Sequence, residues 1–225
     1  MARETRQLII PDLPVSGNRP THELVRHALD DGPGAIELSD LFGNDRDVEL
    51  EVGVGKGRFL LLAASARPET NFLGIEYARK YLERAIDRIG KRGLTNVRLL
   101  HAEAVEVLRE RLPEACLSAV HVLFPDPWPK KRHHKRRFFR GNALDQLARV
   151  MRRGAVLRAV TDHDDYAEII REVTLAHGAF EALPDDDRMW QIAGMADLTR
   201  VGVTNFEIKY RREGRSFHRL AWRRR

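Results

Sequence analysis

Cysteine is almost absent from this chain of 225 residues, and its one thiol, Cys116, excludes an internal disulfide and any Cys-rich zinc cluster. Long apolar runs are missing too. No stretch approaches the roughly eighteen consecutive apolar residues that a membrane helix requires. The N-terminal MARETRQLIIPDLP has no signal-peptide core, because its short apolar patch is broken by Pro11 and Pro14. A soluble, intracellular, cytoplasmic protein is expected, with no membrane association. There is no internal repeat and no low-complexity tract beyond short basic runs. Acidic residues are in deficit: 33 Asp and Glu stand against 39 Lys and Arg, a formal charge of +6, with a pI near 9.8. The excess gathers in one loop and at the C-terminal end, which implies a polyanionic partner, nucleic acid first. A mass of 25.8 kDa allows one sizeable core and demands no second domain.

What is present is an alternation of short apolar runs and amphipathic stretches. Residues 1–46 have weak periodicity and read as an N-terminal appendage, in which Thr21 can cap a short helix through Leu29, ended by Gly32, Pro33 and Gly34. From residue 47 to residue 225 the pattern is regular. VELEVG reads as a strand, GVGKG as a tight turn, and Phe59, Leu60, Leu62, Ala63 and Ala66 as the apolar face of a following helix. FLGIE (72–76) is a second strand, and Tyr81, Leu82, Ala85, Ile86 and Ile89 mark a helix ending near Gly90 and Gly93. NVRLL (96–100) is a third strand, and LSAVHVLF (117–124) a buried fourth. Leu144, Leu147, Ala148 and Met151 recur at helical spacing, with Arg152, Arg153 and Gly154 as the stop signal. A fifth strand is predicted over 155–160. Another helix carries Tyr166, Ile169, Ile170 and Val173, opened by Asp162 or Asp164 and closed at Gly178. Residues 203–210 and 217–222 read as two strands of a hairpin joined through Gly214. Alternating strands and helices imply a doubly wound α/β sheet.

Gly53, Gly55 and Gly57 follow a strand and open a helix, so the backbone can approach a ligand closely. A dinucleotide fingerprint would need a glycine at position 58, where Arg58 stands, and Glu51 would set a carboxylate near a pyrophosphate. That carboxylate suits S-adenosylmethionine, which has no phosphate but carries a sulfonium and an α-ammonium. Glu76, at the end of the second strand, is placed to take two ribose hydroxyls, a role common to both ligands. His101 and Glu103 follow the third strand, on the rim where an adenine would lie.

Residues 124–137, FPDPWPKKRHHKRR, are the most informative stretch. Pro125, Pro127 and Pro129 fix φ and lack donors, so neither a helix nor an interior strand can run through them. Asp126 and Trp128 each precede a proline and are biased toward extended backbone. Asp126 also lies just past a strand's carboxyl end, where open α/β sheets bind ligands. Lys130, Lys131, Arg132, Lys135, Arg136 and Arg137 then supply six cations, interrupted only by His133 and His134. Such a block either seeks phosphates or forms a solvated or localising face. The two histidines suit a phosphate surface better than a metal, since surrounding cations repel a metal ion.

With these residues assembled, the chain resembles the bacterial tRNA (guanine-N7-)-methyltransferase family from about Val48 to the C-terminus. The resemblance rests on ELEVGVGKGRF, GIEYARKY, FPDPWPKKRHHKRR, the pair Thr161 and Asp162, and TNFEIKYRREG. It implies a Rossmann-like S-adenosylmethionine-dependent methyltransferase fold over 47–225, with a mostly parallel seven-stranded sheet. S-adenosylmethionine would be held by Glu51, Glu76, Glu103 and Asp126, with the glycine turn beneath it. Contacts to tRNA would come from Lys130, residues 132–137, Asp162, Thr204, Asn205, Phe206 and Glu207. The reaction implied is methyl transfer to N7 of the variable-loop guanosine, position 46, with Asp126 catalytic, no metal, and a monomer or homodimer without an obligate partner. Methylation of another RNA, or RNA binding without catalysis on the same fold, are the competing expectations.

Overall fold

The computed structural model describes residues 34–184 and 204–225. In chain order the elements are α1 (Leu38–Phe42), β1 (Val48–Val52), α2 (Arg58–Ala66), β2 (Asn71–Glu76), α3 (Arg79–Gly90), β3 (Val97–His101), α4 (Ala104–Glu110) and β4 (Leu117–Leu123). A 3-10 helix (Lys131–Arg136) follows, then α5 (Gly141–Val150), β5 (Met151–Thr161), α6 (Asp164–Ala176), β6 (Phe180–Ala182), α7 (Asn205–Arg212) and β7 (His218–Arg224). Seven strands make one sheet in the order β3-β2-β1-β4-β5-β7-β6. Strands β1 to β5 are parallel, and β7 runs antiparallel to both β5 and β6. The α/β class, the seven strands and the antiparallel C-terminal pair agree with expectation.

Both faces of the sheet are covered, so every residue of β1 and β2 is buried. One face packs Leu50, Val120, Leu157 and Trp222 against Leu147 of α5 and Ile170 of α6. The other packs Phe72 and Leu99 against Phe59 and Leu60 of α2 and Ile86 of α3. Gly74 of β2 makes that second contact close: a Cβ there would stand 2.6 Å from both Leu60 and Val54.

The predicted strand over 203–210 is instead the helix α7. Phe206, Ile208 and Tyr210 alternate as a strand would, but Phe206 and Tyr210 are also one helical turn apart and their rings meet at 5.9 Å. Local chemistry decides for the helix. Thr204 Oγ1 accepts the Glu207 N–H at 2.9 Å, and Glu207 pairs with Arg211 one turn later at 2.6 Å. The antiparallel partners of β7 are therefore β5 and β6, the latter a three-residue strand the alternation does not announce, and no hairpin runs through Gly214. Residues 152–154 do not end α5 but lie inside β5, where Gly154 has φ +84 and the pairing with β4 shifts register. Within the stretch read as an N-terminal appendage, Ile36, Leu38, Leu41 and Phe42 join the main core. Neither α1 nor α4 is visible in the sequence periodicity, both being under eight residues. The helix expected from Thr21 to Leu29 lies outside the described residues.

Candidate active site

The chain lays β2 and β3 on one side of β1, then crosses to lay β4 and β5 on the other, so β1 and β4 are neighbours at the reversal. The loops leaving their carboxyl ends part there and open a crevice. A cleft of about 720 Å³ occupies it, bordered among others by Gly53, Glu76, Tyr77, Glu103, Asp126 and Trp128. Topology thus gathers the glycine turn after β1, the acids after β2 and β3, and the proline loop after β4.

Gly53 and Gly55 have φ +78 and +56, and a Cβ on either would meet no protein atom within 4 Å. The turn presents bare backbone to the cleft. Gly57 is different. Its φ is also positive, but a Cβ there would stand 2.8 Å from the Ala85 Cβ and 3.0 Å from its Cα. The third glycine of the turn packs α2 against α3. Glu76 is pinned by two backbone donors, the Gly55 N–H on Oε2 at 2.8 Å and the Ala78 N–H on Oε1 at 2.7 Å. Each oxygen keeps a lone pair for a hydroxyl. Glu103 caps α4, its Oε2 accepting the Glu106 N–H at 2.9 Å, while still bordering the cleft. His101 ties two strand ends together through the Tyr77 carbonyl at 2.8 Å.

Glu49 and Glu51 alternate along β1 and share the face turned toward α2. Burial disfavours charge on Glu49, but hydrogen bonds from His121 at 2.9 Å and from Arg67 at 2.6 and 2.9 Å outweigh it and hold the carboxyl below its usual range. His121 is itself kept from protonating chiefly by burial. Glu51, two residues on, has no such company. It is 2% exposed, and its Oε2 has no hydrogen-bond partner among the described residues. Burial first, and the nearby Glu76 charge second, push its pKa well above the ordinary value. A sealed carboxyl with an orphaned oxygen, beside a turn of bare backbone, is matched by a ligand carrying an ammonium. These acceptors fit the chemistry of an amino-acid sulfonium nucleoside, which offers an ammonium and two ribose hydroxyls.

The proline loop departs from the extended form expected of it. Trp128 has φ +43, and Phe124, at the entrance, has φ +55. The chain folds back so that the Arg136 guanidinium lies 4.9 Å over the Trp128 ring and the His133 ring meets its edge at 5.6 Å. Asp126 is exposed at the cleft and makes no hydrogen bond or ion pair among the described residues. Its charge reaches the phenols of Tyr166 and Tyr210, whose pKa values are raised mainly by burial, Tyr166 to about 12. In the 3-10 helix and the residue before it, Lys130, Lys131, Arg132, Lys135 and Arg136 are exposed and His133 and His134 half-buried. Arg137 does not join them: it is 7% exposed and turned inward.

Of the other residues singled out, Asp162 is paired with Arg215 at 2.7 Å. Thr204 and Glu207 are buried at the start of α7, and Glu207 also pairs with Arg219 at 2.8 Å. Asn205 is half-buried and Phe206 is 48% exposed. Phe206 belongs to an aromatic cluster that sequence reading missed, in which Phe124 meets Phe206, Tyr210 and Phe217 at 5.6 to 6.0 Å. Arg215 stacks on Tyr210 at 4.4 Å. These rings come from three separate elements, so no local spacing announces them. Tyr77, 75% exposed, was also passed over, although its place directly after Glu76 was a usable signal. Among the described residues, no cluster of three or more His, Cys, Asp or Glu could hold a metal ion, and no helix is long and apolar enough to cross a membrane.

Residues 45–220 match the family model described as "Putative methyltransferase". Among solved structures, the aminoglycoside resistance methyltransferase NpmB1 superposes with a TM-score of 0.53 at 20% identity, over 84% of this chain and 92% of that one. The phosphoethanolamine N-methyltransferase 2 of Haemonchus contortus does so at 0.50 and 13%, over 80% and 49%. Both likenesses concern the fold. The family match, on this fold, defines an α/β methyltransferase. In sequence, the chain is 36% identical to the tRNA (guanine-N(7)-)-methyltransferase of Nitrosococcus oceani, over 90% of this chain and 82% of that one. It is also 36% identical to that of Nocardia farcinica, over 85% and 72%. The chain belongs to the tRNA (guanine-N(7)-)-methyltransferase family.

Proposed function

We propose that this protein transfers a methyl group from S-adenosylmethionine to N7 of a guanine in tRNA, at the variable-loop position 46. The observation that carries the reading is one cleft that sets the Glu76, Glu103 and Asp126 carboxylates beside an exposed cationic helix, whose Lys135 and Arg136 also line it. S-adenosylmethionine supplies an electrophilic methyl group on a sulfonium. Glu51 holds the ammonium end, Glu76 takes the ribose hydroxyls, and Gly53 and Gly55 let the backbone lie against the ligand. Glu103 borders the adenine side.

Guanine N7 already carries an exposed lone pair, so attack on the methyl carbon needs no base. Catalysis is then mostly positioning. As the N7–carbon bond forms, the carbon–sulfur bond breaks and its electron pair returns to sulfur, leaving a neutral thioether; positive charge develops on the purine, and the Asp126 carboxylate, unpaired among the described residues, stabilises it. Lys130, Lys131, Arg132, Lys135 and Arg136 hold the RNA backbone, with His133 and His134 beside them. At the start of α7, Asn205 and the exposed Phe206 are placed to meet the RNA, while Thr204 caps the helix and Glu207 and Asp162 hold Arg211, Arg219 and Arg215. A-form helices bury N7 in a deep, narrow groove, so the substrate guanosine must sit where that edge is open, as in a loop. The protein acts in the cytoplasm as a monomer or homodimer.

Incubating the pure protein with bulk unmodified tRNA and methyl-labelled S-adenosylmethionine, then mapping the label by mass spectrometry, tests this. The expected outcome is N7-methylguanosine at one variable-loop position. Label in another RNA or at another atom overturns the substrate assignment. Cofactor binding without transfer to any RNA leaves an RNA-binding protein on a methyltransferase fold.

A further inference from the structure

Three prolines within five residues leave the segment 125–129 with few backbone donors, and none of its N–H groups bonds within the loop. Among the described residues, one hydrogen bond reaches its backbone: the Arg137 Nε–H donates to the Pro127 carbonyl at 2.7 Å. The same guanidinium lies 4.9 Å over the ring of Tyr166. Tyr166 is fully buried on α6. Arg137 therefore links the loop to the core. The carbonyl it grips belongs to the residue between Asp126 and Trp128, and Trp128 is held at φ +43, a conformation that a bulky residue does not keep unaided.

We infer that Arg137 is a positioning residue and not a phosphate contact: from its buried place in the cleft wall it clamps the proline loop and so sets where the Asp126 carboxylate stands. The inference rests on the proposed methyl transfer for its kinetic consequences, though the clamp has a signature of its own. Planarity is required of the clamping group, because one face stacks on Tyr166 while an edge N–H reaches Pro127. A lysine has length and charge but cannot do both.

The test compares wild type, Arg137→Met, Arg137→Lys, Asp126→Asn and the double variant Asp126→Asn/Arg137→Met, by single-turnover transfer at saturating cofactor and tRNA. Asp126→Asn alone should slow transfer by about a hundredfold, the scale of one preorganised electrostatic contact. Arg137→Met should slow it about tenfold or more, since small displacements of a catalytic group have effects of that order. Lysine should not restore the rate. The double variant should be no slower than Asp126→Asn, because a residue that acts through Asp126 has nothing further to lose. tRNA affinity and its salt dependence should stay as in wild type. Amide exchange should rise across 124–131 in Arg137→Met and not elsewhere. Multiplying rate losses, or a normal rate with a salt slope lowered by roughly 0.7 to 0.9, would make Arg137 an ordinary cation of the run. If Arg137→Met fails to fold, Arg137→Lys carries the comparison. If the wild type transfers no methyl group to tRNA, the functional reading fails, and the exchange measurement alone decides the clamp.

Discussion

Glu51 and Asp126 carry the same functional group in opposite surroundings. Asp126 stands exposed at the cleft and makes no hydrogen bond or ion pair among the described residues. Glu51 is sealed in the sheet with one oxygen unpaired, and burial together with the neighbouring Glu76 makes it hold its proton to a higher pH than in the unfolded chain. Between those two pKa values the folded state binds more protons than the unfolded state, so stability falls as pH rises above the ordinary 4.5. Glu51→Gln removes that penalty. Ligand-free Glu51→Gln should melt no lower than wild type at neutral pH and should lose the decline with rising pH, as scanning calorimetry at several pH values would show. Its affinity for S-adenosylmethionine should fall about tenfold or more, because the variant cannot form a charge-assisted hydrogen bond to the ammonium. A lower melting point with unchanged affinity would mean that Glu51 serves the fold and not the ligand. Glu49, two residues earlier and fully partnered, is the natural control.

At the scale of elements, the β1–α2 turn does two jobs that look alike in sequence. Gly53 and Gly55 have open space where a side chain would stand, and Gly53 borders the cleft, whereas Gly57 lets α2 close on α3. For Gly57→Ala, the left-handed backbone and the clash with Ala85 add. The expected loss is about 2 kcal/mol or more, from roughly 1 to 2 for the conformation and a comparable amount for overpacking. Denaturant unfolding measures it. At temperatures where the variant is folded, cofactor affinity should remain close to normal, and a selective loss of affinity without loss of stability would return Gly57 to the binding site. Helix α7 teaches a related lesson. Its alternation of apolar residues is compatible with strand or helix, and the Thr204 cap with the Glu207–Arg211 ion pair tips a short segment that periodicity alone cannot assign.

For the whole molecule, the +6 charge matters through its placement. Lys131, Arg132 and Lys135 are exposed on one short helix beside the cleft. Neutralising all three should weaken tRNA binding and lower its log-log salt slope by roughly 0.7 to 0.9 for each phosphate that is no longer neutralised. Cofactor affinity should not change. Filter binding across a salt series reads the slope, and an unaltered slope would make the run a solvated face. The sequence by itself determined the alternating strands and helices, the glycine turn, the acids at strand ends and the proline loop, because each is written in residues close together in the chain. Burial of strand and helix faces needs only local periodicity, and proline and glycine act on their own backbone. Tertiary structure alone decided which of those local features face the cleft. It turned Arg137 inward onto Tyr166, set Gly57 against Ala85, gave Glu49 its partners Arg67 and His121 while leaving Glu51 without them, and drew Phe124, Phe206, Tyr210 and Phe217 into one cluster. Those outcomes depend on residues far apart in the chain meeting in space, and they meet only once the sheet order has brought the strand ends together.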